Sequence, residues 1–233
     1  MPPVEVKPNP YHPTRDIAIL REPWTVEELV EATTRTPRPL SNKAVAGTSR
    51  HDRLMAAGGR VYQQCPPQEL DAGDPAVSRW CERHATLLVE TCENVDLPEV
   101  WTSWYEVIHA GWAPTAPHEQ LRDLFGPLVA EISAARSTIC RLDGEIVAVA
   151  FVFEQDDPRE ILTEAMLPKH PQARKAVASC LARTLRDAPG IVRFDGHVSD
   201  PHFYPLLQTL PGVYAGSNDP LDLIEIGGEP TRS

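Results

Sequence analysis

Two carboxylates and two imidazoles lie close together in the segment Asp195-Gly-His-Val-Ser-Asp-Pro-His. Histidine and aspartate are common metal ligands, so one hypothesis for this segment is a metal site. No cysteine takes part, and a helix N-cap at Asp200 would account for part of the cluster, so we expect no bound metal. The other hypothesis is that His197 or His202 acts as a general base.

The densest aromatic stretch of the chain is Trp101-Thr-Ser-Trp-Tyr-Glu-Val-Ile-His-Ala-Gly-Trp. Tyr105, His109 and Trp112 are spaced i, i+4 and i+7, which places them on one face of a helix. Together with Trp104, such a face can recognise a substrate by stacking and by a hydrogen bond. Packing in a hydrophobic core explains the tryptophans equally well, so both interpretations stay open.

The strands that would position these residues are predicted between residues 137 and 226. Asp143-Gly144 separates two apolar runs and predicts a hairpin, because both residues tolerate positive φ. A third strand, a helix of about 16 residues and a strand at Ile191-Val-Arg-Phe follow, and such a crossover implies a parallel pair in an α/β (α+β) fold. An open sheet of this kind usually binds its ligand where the strand ends face the start of the helix.

Local signals predict the division of the rest of the chain. Thr25 and Glu28 form a capping box at a helix start, and Asp74-Pro75 opens another helix. Residues 36–59 are polar and turn-rich, and we interpret them as a boundary or a long functional loop. We therefore expect an N-terminal extension at 1–58 (arm, short strand, helix, loop), one domain at 59–226 that ends in the strand Asp222-Leu-Ile-Glu-Ile, and a flexible tail at 227–233.

The composition of the 233 residues narrows the class of protein. The net charge is −11, and the sequence contains no basic block. This charge argues against a nucleic acid as the main ligand. No apolar run is long enough to span a membrane, and the first residues do not resemble a signal peptide, so we predict a cytoplasmic protein. The five cysteines include no C-x-x-C pair, which predicts reduced thiols.

Three segments carry a resemblance to a known family. They are the hairpin Ile139-Cys-Arg-Leu-Asp-Gly-Glu-Ile-Val-Ala-Val-Ala-Phe-Val-Phe, the unit Leu162-Thr-Glu-Ala-Met-Leu with the helix from Gln172, and Ile191-Val-Arg-Phe-Asp. In this order they resemble the Gcn5-related N-acetyltransferase (GNAT) superfamily over residues 59–226. The resemblance implies a mixed, mostly antiparallel sheet with a splayed central parallel strand pair and flanking helices.

The resemblance also implies a donor site. Acyl-coenzyme A would lie between the splayed strands, with its pyrophosphate on N–H groups of a loop patterned Gln/Arg-x-x-Gly-x-Gly/Ala at a helix N-terminus. Gln172 fits this pattern, but Lys175 and Val177 stand at the glycine positions. Their side chains would crowd a pyrophosphate, although Lys175 adds positive charge, and a donor on the phosphopantetheine of an acyl-carrier protein is the alternative. The predicted donor-binding residues are Met166, Leu167, Gln172, Ala173, Arg174, Lys175, Ala176 and Val177.

The remaining site residues follow from the chemistry that the resemblance implies. Attack of an amine on a thioester needs a base, and Glu164 on the third strand matches the family's glutamate, with apolar neighbours that would raise its pKa. Tyr204 is a substitute for the family's tyrosine acid, whose own position holds Gln208. The predicted catalytic residues are Glu164, His109, His197, His202 and Tyr204, and the predicted substrate-binding residues are Trp104, Tyr105 and Trp112.

The resulting hypothesis is an enzyme that moves an acyl group from a thioester donor to an amine of a small molecule, in the cytoplasm and without a metal. Bacterial natural-product biosynthesis is one setting that fits the composition, and a homodimer is one option for its assembly. Two alternatives stay open. The first is a non-catalytic binding or regulatory module on a degenerate GNAT scaffold, and the second is an aminoacyl-tRNA-dependent transferase, which a local basic patch would favour.

Overall fold

A computed structural model describes residues 2–66, 68–154, 158–188, 190–215 and 220–228. The chain forms two compact units, the first made of Met1–Cys65, His109–Pro117 and Asn218–Ser233, and the second of Pro66–Ile108 and His118–Ser217. The boundary that we predicted at residues 58 and 59 thus falls inside the first unit. Most of the predicted tail, residues 229–233, lies outside the described residues.

The first unit is built on a five-stranded sheet with the order β1-β2-β3-β12-β4. β2 and β3 are parallel, and the other neighbours are antiparallel. Leu29, Leu40, Leu54 and Ile224 are fully buried and form the centre of its core. Its elements are β1 Val4–Pro8, β2 Asp16–Leu20, α1 Val26–Thr33, β3 Leu40–Val45, α2 Ser49–Ala56, β4 Arg60–Cys65 and β12 Leu221–Ile226.

The prediction of a loop over residues 36–59 is wrong, because this segment contains β3 and α2. Leu40, Asn42 and Ala44 are buried at alternate positions, which is the period of a strand, but the polar Asn42 hid this pattern. The Nδ2 group of Asn42 donates to the Ala18 carbonyl at 2.7 Å, which makes its burial tolerable. Thr48 caps α2 by accepting from the His51 N–H, as Thr25 does for α1 in the predicted capping box.

The second unit is built on a seven-stranded sheet with the order β11-β5-β10-β9-β8-β7-β6. β9 and β10 are parallel, and every other neighbouring pair is antiparallel. Its elements are β5 Gln68–Asp71, α3 Pro75–His84, β6 Glu90–Thr91, a 3-10 turn at Cys92–Asn94, α4 Leu97–His109, α5 His118–Val129, β7 Thr138–Leu142, β8 Glu145–Phe153, β9 Arg159–Ala165, α6 Ala173–Arg186, β10 Ile191–Phe194, α7 Phe203–Leu207 and β11 Tyr214–Ala215.

The predicted hairpin and crossover are both present in the second unit. Asp143 and Gly144 have φ values of 51° and 85° and join β7 to β8. α6 then connects the parallel strands β9 and β10, and Ala176, Val177, Cys180 and Leu181 are fully buried in the core that α6 shares with the sheet. The mixed, mostly antiparallel sheet with one central parallel pair is therefore confirmed.

Two strands pair outside the sheet that sequence order suggests. β12 was predicted to complete the 59–226 domain, but it lies between β3 and β4 in the first sheet. β5 follows β4 directly along the chain, yet it pairs with β10 and β11 in the second sheet. Along the chain, β12 is thus separated from the other strands of the first sheet by the strands of the second sheet.

All five cysteines are free, in agreement with the prediction of reduced thiols. Among helices in the described ranges, none combines the length and apolar character needed to cross a lipid bilayer.

His118 joins α4 to α5 through both ring nitrogens. Nδ1 lies 3.0 Å from Glu106 Oε2 and Nε2 lies 3.0 Å from Glu99 Oε2. Only the imidazolium can donate at both nitrogens, so the bonds to Glu106 and Glu99 raise the pKa of His118.

We expect this contact to make stability depend on pH. Because the folded-state pKa of His118 is raised, its stabilisation is complete below the ordinary histidine pKa of about 6.5 and is lost as pH rises through the folded value. The melting temperature of the wild type should exceed that of His118→Gln most at acidic pH, with a difference that shrinks toward pH 8.5. A difference that does not change with pH would contradict the expected role of the imidazolium.

Candidate active site

The parallel strands β9 and β10 separate after three residue pairs. They are in register from Arg159 to Ile161, and the last main-chain contact is the Asp195 N–H donating to the Ile161 carbonyl at 3.2 Å. On its other side β9 continues to pair with β8 as far as Ala165. Residues 162–165 therefore have a strand neighbour on one side and, among the described strands, a gap on the other.

The main-chain groups that face this gap differ from those predicted. The N–H groups of Met166 and Leu167 both donate to the Val147 carbonyl, at 2.8 and 3.3 Å, so they face β8. Because main-chain groups alternate along a strand, those of Thr163 and Ala165 point to the side of the gap, as that of Ile161 does. A thioester arm in the gap would meet Thr163 and Ala165 rather than the N–H groups of Met166 and Leu167.

Glu164 lies beside the gap and spans it with hydrogen bonds. Its side chain is buried, with 1% exposure of the residue, and Oε1 accepts from the Ala165 N–H at 2.7 Å. Oε2 accepts from the N–H groups of His202 and Phe203, which follow β10, at 3.0 and 2.9 Å. A carboxylate has about four acceptor positions, so one position on Oε1 is left.

The pKa of Glu164 is raised, and the main cause is burial, which disfavours the ionised form. The three N–H donors act in the opposite direction, and the nearby Asp200 carboxylate adds to the rise. A raised pKa makes the ionised group a stronger base.

Asp200 organises the loop between β10 and α7, although not in the way we predicted. α7 begins at Phe203 with His202 at its N-cap, so Asp200 is not the cap of this helix. Instead, Asp200 Oδ2 accepts from the His197 N–H at 2.7 Å, and Oδ1 lies 3.5 Å from His197 Nδ1. A Cβ atom at Gly196 would lie 2.9 Å from the Phe203 ring, so this loop packs closely onto α7.

The predicted catalytic residues divide into two groups. His202 lies next to Glu164 through its main chain, while its Nε2 lies 2.9 Å from the Pro168 carbonyl. Tyr204 is half-buried in the first turn of α7. These two residues, His197 and Glu164 all lie in the second unit, whereas His109 belongs to the first.

The start of α6 offers unpaired N–H groups. Gln172 is the N-cap residue but makes no side-chain capping bond, and the Ala173 N–H donates to the His170 carbonyl at 2.9 Å. Within the described chain the N–H groups of Arg174 and Lys175 have no main-chain acceptor, as is normal in a first helical turn. Their side chains are exposed, so the site presents two cations and two donors.

The expected crowding of this helix start does not extend to Val177. The side chain of Val177 is fully buried in the core, together with Ala173 and Ala176, and thus points away from the exposed helix start. Lys175 also departs from the family pattern, and its side chain is exposed at the start of the helix.

The aromatic stretch serves mainly as core in the second unit. Trp104 is 4% exposed, and its ring lies 5.0 Å from that of Trp101 and 5.3 Å from that of Phe151. Tyr105 packs on Phe125 with a ring distance of 4.7 Å. This geometry favours the packing interpretation for Trp104.

Trp112 does not share a helical face with Tyr105, because α4 ends at His109. Trp112 lies in the turn that follows, where its N–H donates to the His109 carbonyl at 3.1 Å. In the first unit the His109 ring lies 4.6 Å from Trp112 and 5.1 Å from His12. The sequence signal for this break is Gly111, because glycine is unfavourable inside a helix.

Sequence reasoning missed Thr163 and Ala165 as residues of the gap. Strand alternation around Glu164 was the signal that could have found them. The described residues contain no group of three His, Cys, Asp or Glu side chains that could hold a metal ion.

Comparisons with known proteins identify the fold. No family model matches the chain, and no curated protein sequence does. The structure is similar to a GCN5-related N-acetyltransferase from Sphaerobacter thermophilus, with 11% identity over 97% of this chain and 77% of the other and a TM-score of 0.60. It is similar to a GCN5-related N-acetyltransferase from Kribbella flavida, with 17% identity over 92% and 82% and a TM-score of 0.51.

A third similar structure is that of a functionally unknown conserved protein from Staphylococcus epidermidis. It has 10% identity over 92% of this chain and 85% of the other, with a TM-score of 0.55. At these identities the likeness concerns the fold, and it confirms the predicted GNAT-like architecture.

Proposed function

We propose that this chain, which has the GNAT fold, is an N-acyltransferase that moves an acyl group from a thioester to the amine of a small molecule. One observation carries the proposal. β9 and β10 part after Ile161, and a buried carboxylate, Glu164, stands beside the gap with one acceptor position left. A thioester arm needs such an opening, and the incoming amine needs such a base.

The proposed reaction is a direct transfer. The amine nitrogen attacks the thioester carbonyl, a C–N bond forms, and the C–S bond breaks. Glu164 takes the proton that the amine loses, and the thiolate leaves and is protonated to the thiol. The products are an amide and the free thiol of the donor, and no oxidant or metal enters the balance.

The start of α6 fits the phosphates of acyl-coenzyme A as co-substrate. The unpaired N–H groups of Arg174 and Lys175 and the positive end of the helix dipole favour an anion. The exposed side chains of the same two residues add two positive charges.

A direct experiment tests the proposal. The full chain is titrated with acetyl-, propionyl- and longer acyl-coenzyme A by calorimetry, and each donor that binds is then incubated with a panel of small amines. We expect binding of at least one donor and an amide product detected by mass spectrometry together with release of the free thiol. Binding of no thioester donor would overturn the proposal.

The non-catalytic alternative is supported by Lys175 at the helix start and by the near-complete burial of Glu164. The same experiment separates the two functions, because a binding module would take up the thioester without releasing thiol in the presence of any amine.

Replacing Lys175 tests the donor site. We expect Lys175→Glu to raise the Kd for acyl-coenzyme A about tenfold, because a carboxylate would face the phosphates. The melting temperature should stay the same or rise, because a negative charge in the first turn suits the helix dipole. Lys175→Gln is the matched neutral control and should have an intermediate Kd. Equal affinities in all three proteins would show that the phosphates bind elsewhere.

A further inference from the structure

The exposed surface of α6 is basic throughout. Its exposed residues are Arg174, Lys175, Arg183 and Arg186, and no acidic or neutral side chain interrupts them. This is unusual in a chain that has 33 acidic and 22 basic residues. Surfaces normally mix the two signs of charge, so a local excess of one sign points to a partner of the other.

The basic surface continues onto α3. The Ser179 hydroxyl of α6 donates to the His84 carbonyl at 3.0 Å, and Arg186 donates to the Cys81 carbonyl at 3.3 Å, so the end of α3 packs on α6. Arg83 and Arg174 both lower the pKa of His84, after burial as the main cause, because each guanidinium group lies near the His84 ring. Arg79 lies one helical turn before Arg83 and is exposed as well.

Five of these cations lack a counter-charge. In the part of the chain that the structure describes, no carboxylate lies within ion-pair distance of them, whereas Arg183 is paired with Asp187 at 3.0 Å. We call these five residues the α3–α6 basic face. They are Arg79, Arg83, Arg174, Lys175 and Arg186.

We propose that the α3–α6 basic face docks a small acidic protein that carries the acyl group as a thioester on a phosphopantetheine arm. This inference rests on the proposed acyl transfer and names the source of its donor. Arg174 and Lys175 stand at the start of α6, the helix that follows β9 and connects it to β10, so a partner seated there can pass its arm between these two strands. Arg79 and Arg83 extend the positive surface along a second helix. Binding of the coenzyme A phosphates at the start of α6 would not need these two residues.

Charge complementarity of this kind steers the encounter and fixes the orientation of the partner. Because the chain as a whole is negative, an acidic protein would be repelled from most of its surface and attracted to this face. The interaction should therefore weaken as the ionic strength rises.

Charge reversal on α3 tests the proposal. The probes are an acetylated phosphopantetheinyl carrier protein and acetyl-coenzyme A, each with the full chain. We expect the double variant Arg79→Glu and Arg83→Glu to raise the Kd for the carrier about tenfold or more and to leave the Kd for acetyl-coenzyme A within twofold. Lys43→Glu is the control, because Lys43 is an exposed cation on β3 of the other unit. It should change neither affinity.

Three other outcomes would overturn the docking proposal, and a fourth would overturn only the proposed reaction. A double variant that loses both donors equally would assign the face to the phosphates of coenzyme A. A wild-type chain that binds uncharged or aminoacylated tRNA, but not the carrier, through the same arginines would assign it to RNA. No change in any affinity would make the face a solvated surface. If carrier binding depends on Arg79 and Arg83 but no amide forms, the docking proposal is supported and the proposed acyl transfer is contradicted.

Discussion

Replacement of Glu164 by alanine is expected to lower the free energy of unfolding by about 3 kcal/mol or more and to abolish acyl transfer. The three N–H groups of Ala165, His202 and Phe203 donate to this carboxylate, and a buried donor without a partner costs about 1–3 kcal/mol. Denaturation with urea, followed by circular dichroism, measures the loss of stability. Amide hydrogen exchange at His202 and Phe203 should become faster in the same variant.

Glutamine at position 164 separates the two roles of this side chain. Its carbonyl oxygen can still accept from the N–H groups of His202 and Phe203, but its NH2 group cannot accept from Ala165 and cannot act as a base, so Glu164→Gln should lose less stability than Glu164→Ala. We expect its kcat to fall about 10²–10³-fold at a largely unchanged KM for the donor. A variant with near-normal kcat would leave Glu164 as a positioning residue that holds the end of β10 to β9.

The pH profile gives a second readout of the same residue. A base must be ionised, so kcat/KM should fall as the pH decreases through the pKa of Glu164, which burial raises above its ordinary value. This acidic limb should be missing from the residual activity of Glu164→Gln. If the limb persists unchanged, another group is the base, and His202 and His197 are the nearest candidates on the same loop.

Replacement of Trp104 by alanine is expected to destabilise the second unit by about 3–5 kcal/mol. Its ring is 4% exposed and packs against Trp101 and Phe151, so truncation leaves a cavity that the neighbouring rings cannot fill. Thermal and urea unfolding measure this loss. Trp104→Phe keeps most of the aromatic volume and should lose a smaller part of the stability.

The alternative role of Trp104 in substrate recognition predicts a different result. A residue that binds the acceptor would raise the acceptor's KM without loss of stability. Alanine at position 104 with a normal melting temperature and a raised KM would therefore contradict its role in the core.

Local sequence patterns were sufficient to predict the hairpin and the strand that carries Glu164, because both depend on residues close together in the sequence. The Asp143-Gly144 turn determines the hairpin through its backbone conformation, and the apolar run around Glu164 determines its strand. The place of Glu164 beside the gap follows from the order of these elements.

Features that depend on distant partners could not be predicted in this way. Two of the three N–H groups that donate to Glu164 belong to His202 and Phe203, and no local signal marks them. Asp200 has the local sequence of an N-cap but closes a turn on His197, because Phe203 starts the helix later. The partners of β12, β3 and β4, are equally distant in sequence. The alternation of apolar residues in a strand predicts which face is buried, but it does not predict the sheet in which the strand pairs.

The position of β12 has a consequence for the folding of the chain during its synthesis on the ribosome. β3 and β4 are synthesised before Leu221–Ile226, the strand that separates them in the finished sheet. Until that strand is made, both neighbours present unsatisfied edges of the kind that recruit other chains. The sheet of the first unit can therefore close only after Leu221–Ile226 has been synthesised.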